Sequence, residues 1–224
     1  MTSKIGQSPK HVRRVKDFLD KMMGWAAFLF LSPLLWTLAA LIRLDSPGPA
    51  FFRQERIGQG GRPFVAVKFR SMVDKATTMG LGLNVAADDS RITRVGRFLR
   101  HTSLDELPQL FHILNGEMSL VGPRPTLPYQ VAAYDAFQRR RLEVKPGITG
   151  WAQVNGRNAI PWEERIKLDV WYVDNWSLGL DLAILLRTLK VWARQEGLYG
   201  PMGVNYDLVS ASQGYENKTF CRYN

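Results

Sequence analysis

The stretch that decides the fold is "FLFLSPLLWTLAALIR", residues 28–43, which lies inside a longer apolar run. No charged residue occurs from Met22 to Ile42, a run of 21 residues. As a straight helix this run would be about 31 Å long, which matches a bilayer hydrocarbon core of ~30 Å. Its length therefore predicts a membrane helix near the N-terminus.

Two features of the run bear on whether this helix crosses the bilayer. Lys and Arg flank both ends of the run, whereas a spanning helix normally has an excess of them on one side. Ser32-Pro33 lies at the centre, and proline removes a backbone donor and kinks or breaks a helix. A helix that enters and turns back to the same face fits both features. The residues alone leave a kinked single-pass helix open as well, although the flanking charges favour the re-entrant form.

The segment that follows the run marks a boundary. Pro47, Gly48 and Pro49 predict a turn just after Arg43. We therefore divide the chain into an N-terminal amphipathic segment with the membrane helix (1–43), a globular domain (44–199) and a polar C-terminal tail (200–224).

The charge balance favours a polyanionic partner over a role in solubility alone. The chain has 224 residues, a net charge of +10 and a pI near 9.9, which is typical of proteins that meet nucleic acid, anionic lipid or phosphorylated substrates. A single cysteine, Cys221, cannot form an internal disulfide. Three scattered histidines make a Cys/His zinc site unexpected.

The globular domain reads as α+β and mostly helical. Two short strands, Ala50–Ile57 and Pro63–Phe69, are separated by a glycine-rich connection and predict a hairpin. "PWEERIKLDVWYVDNW" and "DLAILLRTLKVWARQ" have helical periodicity.

The second of these helices carries an apolar stripe, which is more often core packing than membrane contact. Trp192 and Lys190 leave an interfacial position open for this amphipathic helix. The stripe consists of Leu182, Leu185, Leu186, Leu189 and Trp192.

Four arginines, Arg91, Arg94, Arg97 and Arg100, recur every third residue. On a helix this spacing would keep them on one broad face. The face could be solvated, rest on lipid phosphates, or supply a ligand for a substrate phosphate, which Arg binds bidentately.

"TSLDELPQL" places Asp105 and Glu106 just before Pro108. Because proline is tolerated only in the first turn, a helix should begin near these acids and end at Asn115-Gly116. Asp105 could be an N-cap, or Ser103 and Glu106 a capping box. Alternatively, a carboxylate kept ionised by nearby arginines could attack phosphorus or hold Mg²⁺.

Two loops add candidate ligands. Arg124 lies between two prolines in "VGPRP", and this rigid backbone suits anion binding. "KPGITGWAQVNGRN" contains Gln153, Asn155 and Arg157, which could form a nucleotide or sugar lip, or belong to a structured loop.

The motifs "SPGPAFFRQERIG", "KFRSM", "SLDELPQL", "MSLVGPRP" and "KPGITGWAQVNGR" together resemble those of the bacterial sugar transferase family. These proteins are small monotopic phosphoglycosyl transferases, also called polyprenyl-phosphate sugar-1-phosphate transferases. The resemblance covers roughly residues 10–195. The family's Ser-Pro break matches Ser32-Pro33, so the resemblance implies the re-entrant form.

The resemblance also implies an activity. A sugar 1-phosphate would pass from a UDP-sugar to undecaprenyl phosphate with release of UMP, as the first membrane step of surface glycan synthesis, for example of an exopolysaccharide or O-antigen. Residues 44–199 would be the catalytic domain, at the cytoplasmic face of the bacterial inner membrane. By resemblance Asp105 is the nucleophile that forms an aspartyl phospho-sugar intermediate, and Mg²⁺ is held near Asp105 and Glu106.

The family's diphosphate-binding arginines match Arg100 and Arg124, and Lys68 and Arg70 of "KFRSM" are further candidates. Expected partners are the UDP-sugar, undecaprenyl phosphate and inner-membrane lipids. A membrane-anchored nucleic-acid binder would also explain the positive charge, but the basic residues follow no nucleic-acid fold pattern, so we expect no nucleic-acid partner. A third hypothesis is a non-catalytic scaffold that binds anions. The sequence leaves the sugar open, and also whether the chain forms a homo-oligomer.

Overall fold

The computed structural model describes residues 10–80, 82, 84–86, 88–194, 197, 204 and 205. Apart from 204 and 205, the predicted tail lies outside the described residues. The α-helices are α1 (Lys10–Asp45), α2 (Arg94–Thr102), α3 (Leu110–Leu114), α4 (Pro128–Ala132), α5 (Ala136–Arg139), α6 (Trp151–Val154), α7 (Trp162–Asn175) and α8 (Leu178–Arg194). The strands are β1 (Phe51–Ile57), β2 (Pro63–Phe69), β3 (Val85–Ala86), β4 (Ser119–Val121), β5 (Gly147–Thr149) and β6 (Val204–Asn205).

Helix α1 is continuous through Pro33, so the prediction that it is interrupted at Ser32-Pro33 is wrong. Proline lacks the N–H that would bond the carbonyl of Leu29, four residues back. The Ser32 hydroxyl donates to that carbonyl at 2.9 Å instead. Thr37 Oγ1 likewise donates to the Pro33 carbonyl at 2.9 Å. These side chains stabilise the helix around the proline. A turn back to the same membrane face stays a prediction.

One face of α1 packs on the globular domain along its whole length. Near the N-terminus, Lys16 Nζ lies 2.6 Å from Asp181 Oδ2 of α8. Near the C-terminus, Ile42 is buried in a cluster with Phe69 and Leu99. The residues between them that contact the domain recur every three or four positions, as on one helix face: Asp20, Gly24, Ala27, Leu31, Leu35 and Leu38.

The opposite face of α1 is apolar and exposed. Mean hydropathy makes α1 the one described helix long and apolar enough to cross a membrane. The exposed large side chains on it include Phe18, Met22, Trp25, Leu29, Phe30 and Trp36. This helix therefore has a domain-bound face and a face of membrane character.

The predicted hairpin is confirmed. Strands β1 and β2 pair antiparallel from Phe51 opposite Phe69 to Ile57 opposite Pro63. Gly60 and Gly61 in the connection have φ of +67° and +79°, which only glycine adopts without strain. The predicted first strand starts one residue too early, at Ala50.

Strands β4 and β5 form a short parallel pair that sequence reasoning did not anticipate. Its continuation brings the backbones of two loops into contact, since a Cβ on Gly122 would lie 2.3 Å from the Lys145 carbonyl oxygen. A Cβ on Gly150 would lie 2.1 Å from the Gly122 carbonyl oxygen. The glycines therefore allow the loop with Arg124 to lie beside β5 and the start of α6.

The two predicted C-terminal helices are confirmed as α7 and α8. They pack through a core that contains Tyr172, Val173, Trp176 and Ile184. The core interpretation of the α8 stripe is wrong for most of its members, although Leu185 packs partly against this core. The members that are more than half exposed are Leu182, Leu186, Leu189 and Trp192.

The four arginines do not share a helix face. Thr93 caps α2 by accepting from the Gly96 N–H, so Arg91 lies before the helix. Arg91 is buried, and its guanidinium binds Asp89. It also donates to the carbonyls of Ala76, Met79, Gly82 and Asn84, and so holds the preceding loop together. Of the four, Arg94 and Arg97 are exposed and Arg100 reaches the cavity described next.

Candidate active site

A cavity of about 790 Å³ lies between the hairpin, the 3₁₀ helix Leu104–Gln109, the Arg124 loop and helices α6 and α7. Seven of the predicted site residues border this cavity. They are Lys68, Arg100, Asp105, Glu106, Arg124, Gln153 and Arg157. Arg70 also borders it.

Glu106 is held by two cations. Lys68 Nζ donates to Glu106 Oε1 at 2.8 Å, and the Arg124 guanidinium binds both carboxylate oxygens, at 2.5 Å and 3.1 Å. Burial by itself would raise the pKa of Glu106, but Arg124 and Lys68 outweigh it and hold that pKa well below its usual value. Glu106 is therefore a fixed anion that orients Arg124 and Lys68.

Asp105 differs from its neighbour. Its side chain makes no hydrogen bond to any residue in the described part of the chain, although it borders the cavity. Burial raises the pKa of Asp105 and the Glu106 charge adds to this, while Lys68 opposes it. Arg100 and Arg124 also lower the pKa of Asp105, but burial outweighs them, so of the two acids it is Glu106 that shows the expected net lowering.

Both capping interpretations of this segment are wrong. Ser103 precedes the 3₁₀ helix with φ +56° and makes no side-chain capping bond. Pro108 is accommodated because residues 104–109 form a 3₁₀ helix, which α3 then continues. The helical segment ends at Asn115, and Gly116 has φ +80°, as expected.

The cavity concentrates positive charge. Burial and the nearby Arg124 lower the pKa of Arg56 to about 10. Burial also lowers the pKa of Lys68, against the attraction of Glu106, and that of Arg157. Cations that lower one another's pKa are relieved by an added anion. The site is therefore suited to phosphate groups.

Other predicted site residues have different surroundings. The terminal nitrogens of Arg70 donate to the Ser46 and Pro47 carbonyls, at 2.7 Å and 2.6 Å, and so cap the end of α1. Asn155 directly follows α6, and its Nδ2 donates to the carbonyl of Trp151, the first residue of that helix. Asn155 is not among the residues that border the cavity. We therefore leave Arg70 and Asn155 out of the ligand-binding set.

Sequence reasoning missed several residues of the cavity. Arg56, Arg141, Arg165 and Asp169 all border it. A signal was present in α7, where Trp162, Arg165 and Asp169 are spaced by three and four residues and so share one helix face. That face continues into buried Ile166 and Val170, which shows that it points inward.

The donor set is compatible with Mg²⁺ but incomplete without a substrate. No group of three or more metal-ligating side chains occurs in the described residues. Both oxygens of Glu106 already bind cations, whereas the Asp105 oxygens are unpaired within the described chain. Since Mg²⁺ is commonly held by one or two carboxylates together with substrate phosphates, Asp105 fits such a site.

Comparison with known proteins identifies the class. The model of the family described as "Bacterial sugar transferase" matches residues 11–195. The chain therefore belongs to the bacterial sugar transferase family.

The chain is also similar to individual proteins whose names describe sugar transferases or sugar phosphotransferases. The chain is 48% identical to the uncharacterized sugar transferase EpsL of Bacillus subtilis (strain 168), over 80% of this chain and 90% of that protein. It is 45% identical to the UDP-glucose:undecaprenyl-phosphate glucose-1-phosphate transferase of Xanthomonas campestris pv. campestris, over 77% and 37%. It is 40% identical to the undecaprenyl-phosphate galactose phosphotransferase of Salmonella typhimurium (strain LT2), over 86% and 43%. The chain thus spans less than half the length of the latter two.

Proposed function

We propose that the protein transfers a sugar 1-phosphate from a UDP-sugar to undecaprenyl phosphate and releases UMP. The names of the Xanthomonas and Salmonella relatives support the donor and acceptor classes. The observation that carries the chemistry is the contrast at residues 105 and 106. An acid without an internal hydrogen bond lies beside an acid fixed by two cations, in a positively charged cavity.

The chemistry proceeds in two displacements. An Asp105 carboxylate oxygen attacks the sugar-bearing phosphorus, an O–P bond forms, and the bond from that phosphorus to the bridging oxygen breaks with its electron pair leaving on UMP. A phosphate oxygen of undecaprenyl phosphate then attacks the same phosphorus and displaces the Asp105 oxygen. Asp105 suits this role because no hydrogen bond within the described chain occupies its lone pairs.

The cations stabilise the charge that develops. Arg124 and Lys68, fixed by Glu106, face the same cavity as Arg100. Positioned cations lower the barrier of phosphoryl transfer by offsetting negative charge. Mg²⁺, held by Asp105 and the donor diphosphate, would neutralise further charge on the phosphates.

We propose a monotopic placement on the cytoplasmic face of the inner membrane. Lys16 and Ile42, near opposite ends of α1, contact the same globular domain. A straight crossing would have to separate these contacts, whereas a helix that returns to one face keeps both. The exposed apolar side chains of α1 and α8 supply the membrane-facing surface, and the lipid acceptor would reach the cavity from that surface.

The activity is tested by measuring UMP released from a panel of UDP-sugars, with undecaprenyl phosphate and Mg²⁺. We expect release with at least one UDP-sugar, dependent on the lipid phosphate for continuous turnover, and lost when EDTA removes the metal. No release from any sugar of the panel would contradict the proposal. Binding of DNA or RNA that does not require a UDP-sugar and depends steeply on salt would instead support the nucleic-acid hypothesis.

The topology is tested with single cysteines at His11 and Leu44, both exposed on α1, in a Cys221→Ser background. A membrane-impermeant thiol reagent should label both from the same side. In Ser32→Ala/Pro33→Ala, which restores an uninterrupted backbone ladder, we expect the two labels to move toward opposite sides. Labels on opposite sides in the parent chain would refute the monotopic placement.

A further inference from the structure

Buried polar atoms without partners collect on one wall of the cavity. Within the described chain, six residues have side-chain nitrogen or oxygen atoms that are buried and unpaired. Five of them border this cavity: Arg70, which follows β2, and a cluster of four residues on α6 and α7. The unpaired atoms of the four are Gln153 Nε2 and Oε1, Trp162 Nε1, Arg165 Nε and Asp169 Oδ1. We call these four residues the polar wall. Each unpaired group costs on the order of 1–3 kcal/mol, so a cluster of them is unusual in a folded protein.

Contacts with neighbouring residues hold the side chains of the polar wall in place. Asp169 is only 2% exposed, and its other oxygen, Oδ2, accepts from Arg141 Nη2 at 2.5 Å. Trp162 lies under two guanidinium groups, with Arg165 5.0 Å and Arg141 5.7 Å from its ring centre. These contacts fix the side chains while leaving the atoms named above unpaired.

Hydrogen bonds connect the polar wall to the side of the cavity that holds Asp105 and Glu106, which we call the catalytic side. Arg141 Nη2 also donates to the backbone carbonyl of Arg124 at 3.0 Å. Arg124 in turn binds Glu106, next to Asp105. A molecule whose phosphates lie at Arg124 can therefore extend a neutral part toward the polar wall.

The hydrogen-bonding groups define what that part must be. The polar wall offers three donors, on Gln153, Trp162 and Arg165, and two acceptors, on Gln153 and Asp169. A uracil ring has one N–H donor, too few for both acceptors. Each hydroxyl group has one donor and two lone pairs, so a ring with several hydroxyls can satisfy the whole set.

We propose that the polar wall is a binding site for a polyhydroxylated ring of the donor substrate. This inference rests on the proposed function, and the ring is either the transferred sugar or the ribose of the nucleotide. The unpaired atoms are themselves buried, so small side-chain rotations accompany binding. Residues of the polar wall then determine donor affinity and, if the ring is the transferred sugar, the choice of sugar.

The test uses variants that remove unpaired groups and keep the ion pairs. Gln153→Met removes both polar atoms at similar volume, and Trp162→Phe removes the indole N–H. Trp171→Phe is the matched control, because Trp171 is on the same helix but stacks on Trp151 and does not border the cavity. Titration calorimetry of the full chain measures the Kd of UDP-glucose, UDP-galactose, UDP and 2′-deoxy-UDP.

We expect Gln153→Met and Trp162→Phe to weaken binding by about three- to tenfold, and Trp171→Phe to leave it unchanged. Weaker binding of the UDP-sugars alone assigns the polar wall to the transferred sugar. Weaker binding of UDP as well, but less of 2′-deoxy-UDP, assigns it to ribose. Unchanged Kd values, equal losses for UDP and 2′-deoxy-UDP, or no binding of any nucleotide to the parent chain would overturn the inference.

The binding measurement and the UMP-release measurement can fail independently of each other. A parent chain that binds UDP-sugars through the polar wall but releases no UMP would refute the proposed function alone. A chain that releases UMP with the same affinities in all three variants would refute the polar wall alone.

Discussion

The two sides of the cavity satisfy their polar groups in opposite ways. On the catalytic side, Glu106 is bonded to Lys68 and Arg124, whereas the Asp105 side chain makes no hydrogen bond within the described chain. On the polar wall, Gln153 and Asp169 keep buried oxygens that no described side chain pairs. Internal partners therefore fix the charges on one side, and a ligand must complete the hydrogen bonds on the other.

The two sides also differ in how the loss of a residue should affect stability and activity. A group bound to internal partners contributes to folding as well as to chemistry, because its removal leaves those partners unpaired. A group without internal partners can be removed with little effect on stability. Activity and stability measured together should distinguish the two kinds.

The largest effect is expected for Asp105→Asn. This change removes the proposed nucleophile, so UMP release should fall by at least about a hundredfold. Because Asp105 has no hydrogen bond to the described residues, its replacement should not lower the unfolding temperature. The measurement is UMP release together with thermal unfolding in detergent.

Asp174→Asn is the control for this change, since Asp174 pairs with Arg140 and does not border the cavity. It should keep parental UMP release. An Asp105→Asn protein that retains more than a few per cent of activity would show that another group attacks phosphorus.

Glu106→Gln should lower both activity and stability. The amide keeps the shape but removes the charge that holds Lys68 and Arg124, so both cations become unpaired. We expect a loss of about 2 kcal/mol of unfolding free energy, which corresponds to about 5 °C in unfolding temperature, and an activity loss of about tenfold or more. Unchanged stability would show that the two cations do not depend on Glu106.

The smallest effect concerns the pH dependence of stability at Asp169. Burial outweighs the attraction of Arg141 and raises the pKa of Asp169 from 3.8 to about 6. Between these pH values the folded chain binds more protons at Asp169 than the unfolded chain, so this group's contribution to stability falls as pH rises through the window. Asp169→Asn removes this titration.

The unfolding temperature of Asp169→Asn, minus that of the parent chain, should therefore increase from pH 4 to pH 6, by about 5 °C. Loss of the ion pair with Arg141 adds an offset, so the slope is the relevant quantity. A difference that is flat with pH would contradict the raised pKa of Asp169.

Local patterns predicted much of this fold and site. Alternating residues and glycines defined the hairpin, and helical periodicity defined α7 and α8. The prolines around Arg124 and the acids before Pro108 indicated the catalytic side, which the structure brings into one cavity.

The failures have tertiary causes. The sequence predicted that Arg70 binds phosphate, but its guanidinium donates to backbone carbonyls just after the end of α1. The α8 stripe reads like a core face, but Asp181 and Ile184 turn inward instead, because Lys16 and Tyr172 bind the Asp181 carboxylate. Asp169 was missed because the spacing of Trp162, Arg165 and Asp169 places them on one face of α7 but does not reveal that this face is buried.

The most direct test of the central claim is intact-protein and peptide mass spectrometry of the chain incubated with a turnover-competent UDP-sugar in the absence of lipid phosphate. We expect a mass increase of one phospho-sugar, located on Asp105, absent from Asp105→Asn and lost when undecaprenyl phosphate is added. An active enzyme that never carries this adduct, or carries it on another residue, would contradict the role of Asp105 as nucleophile.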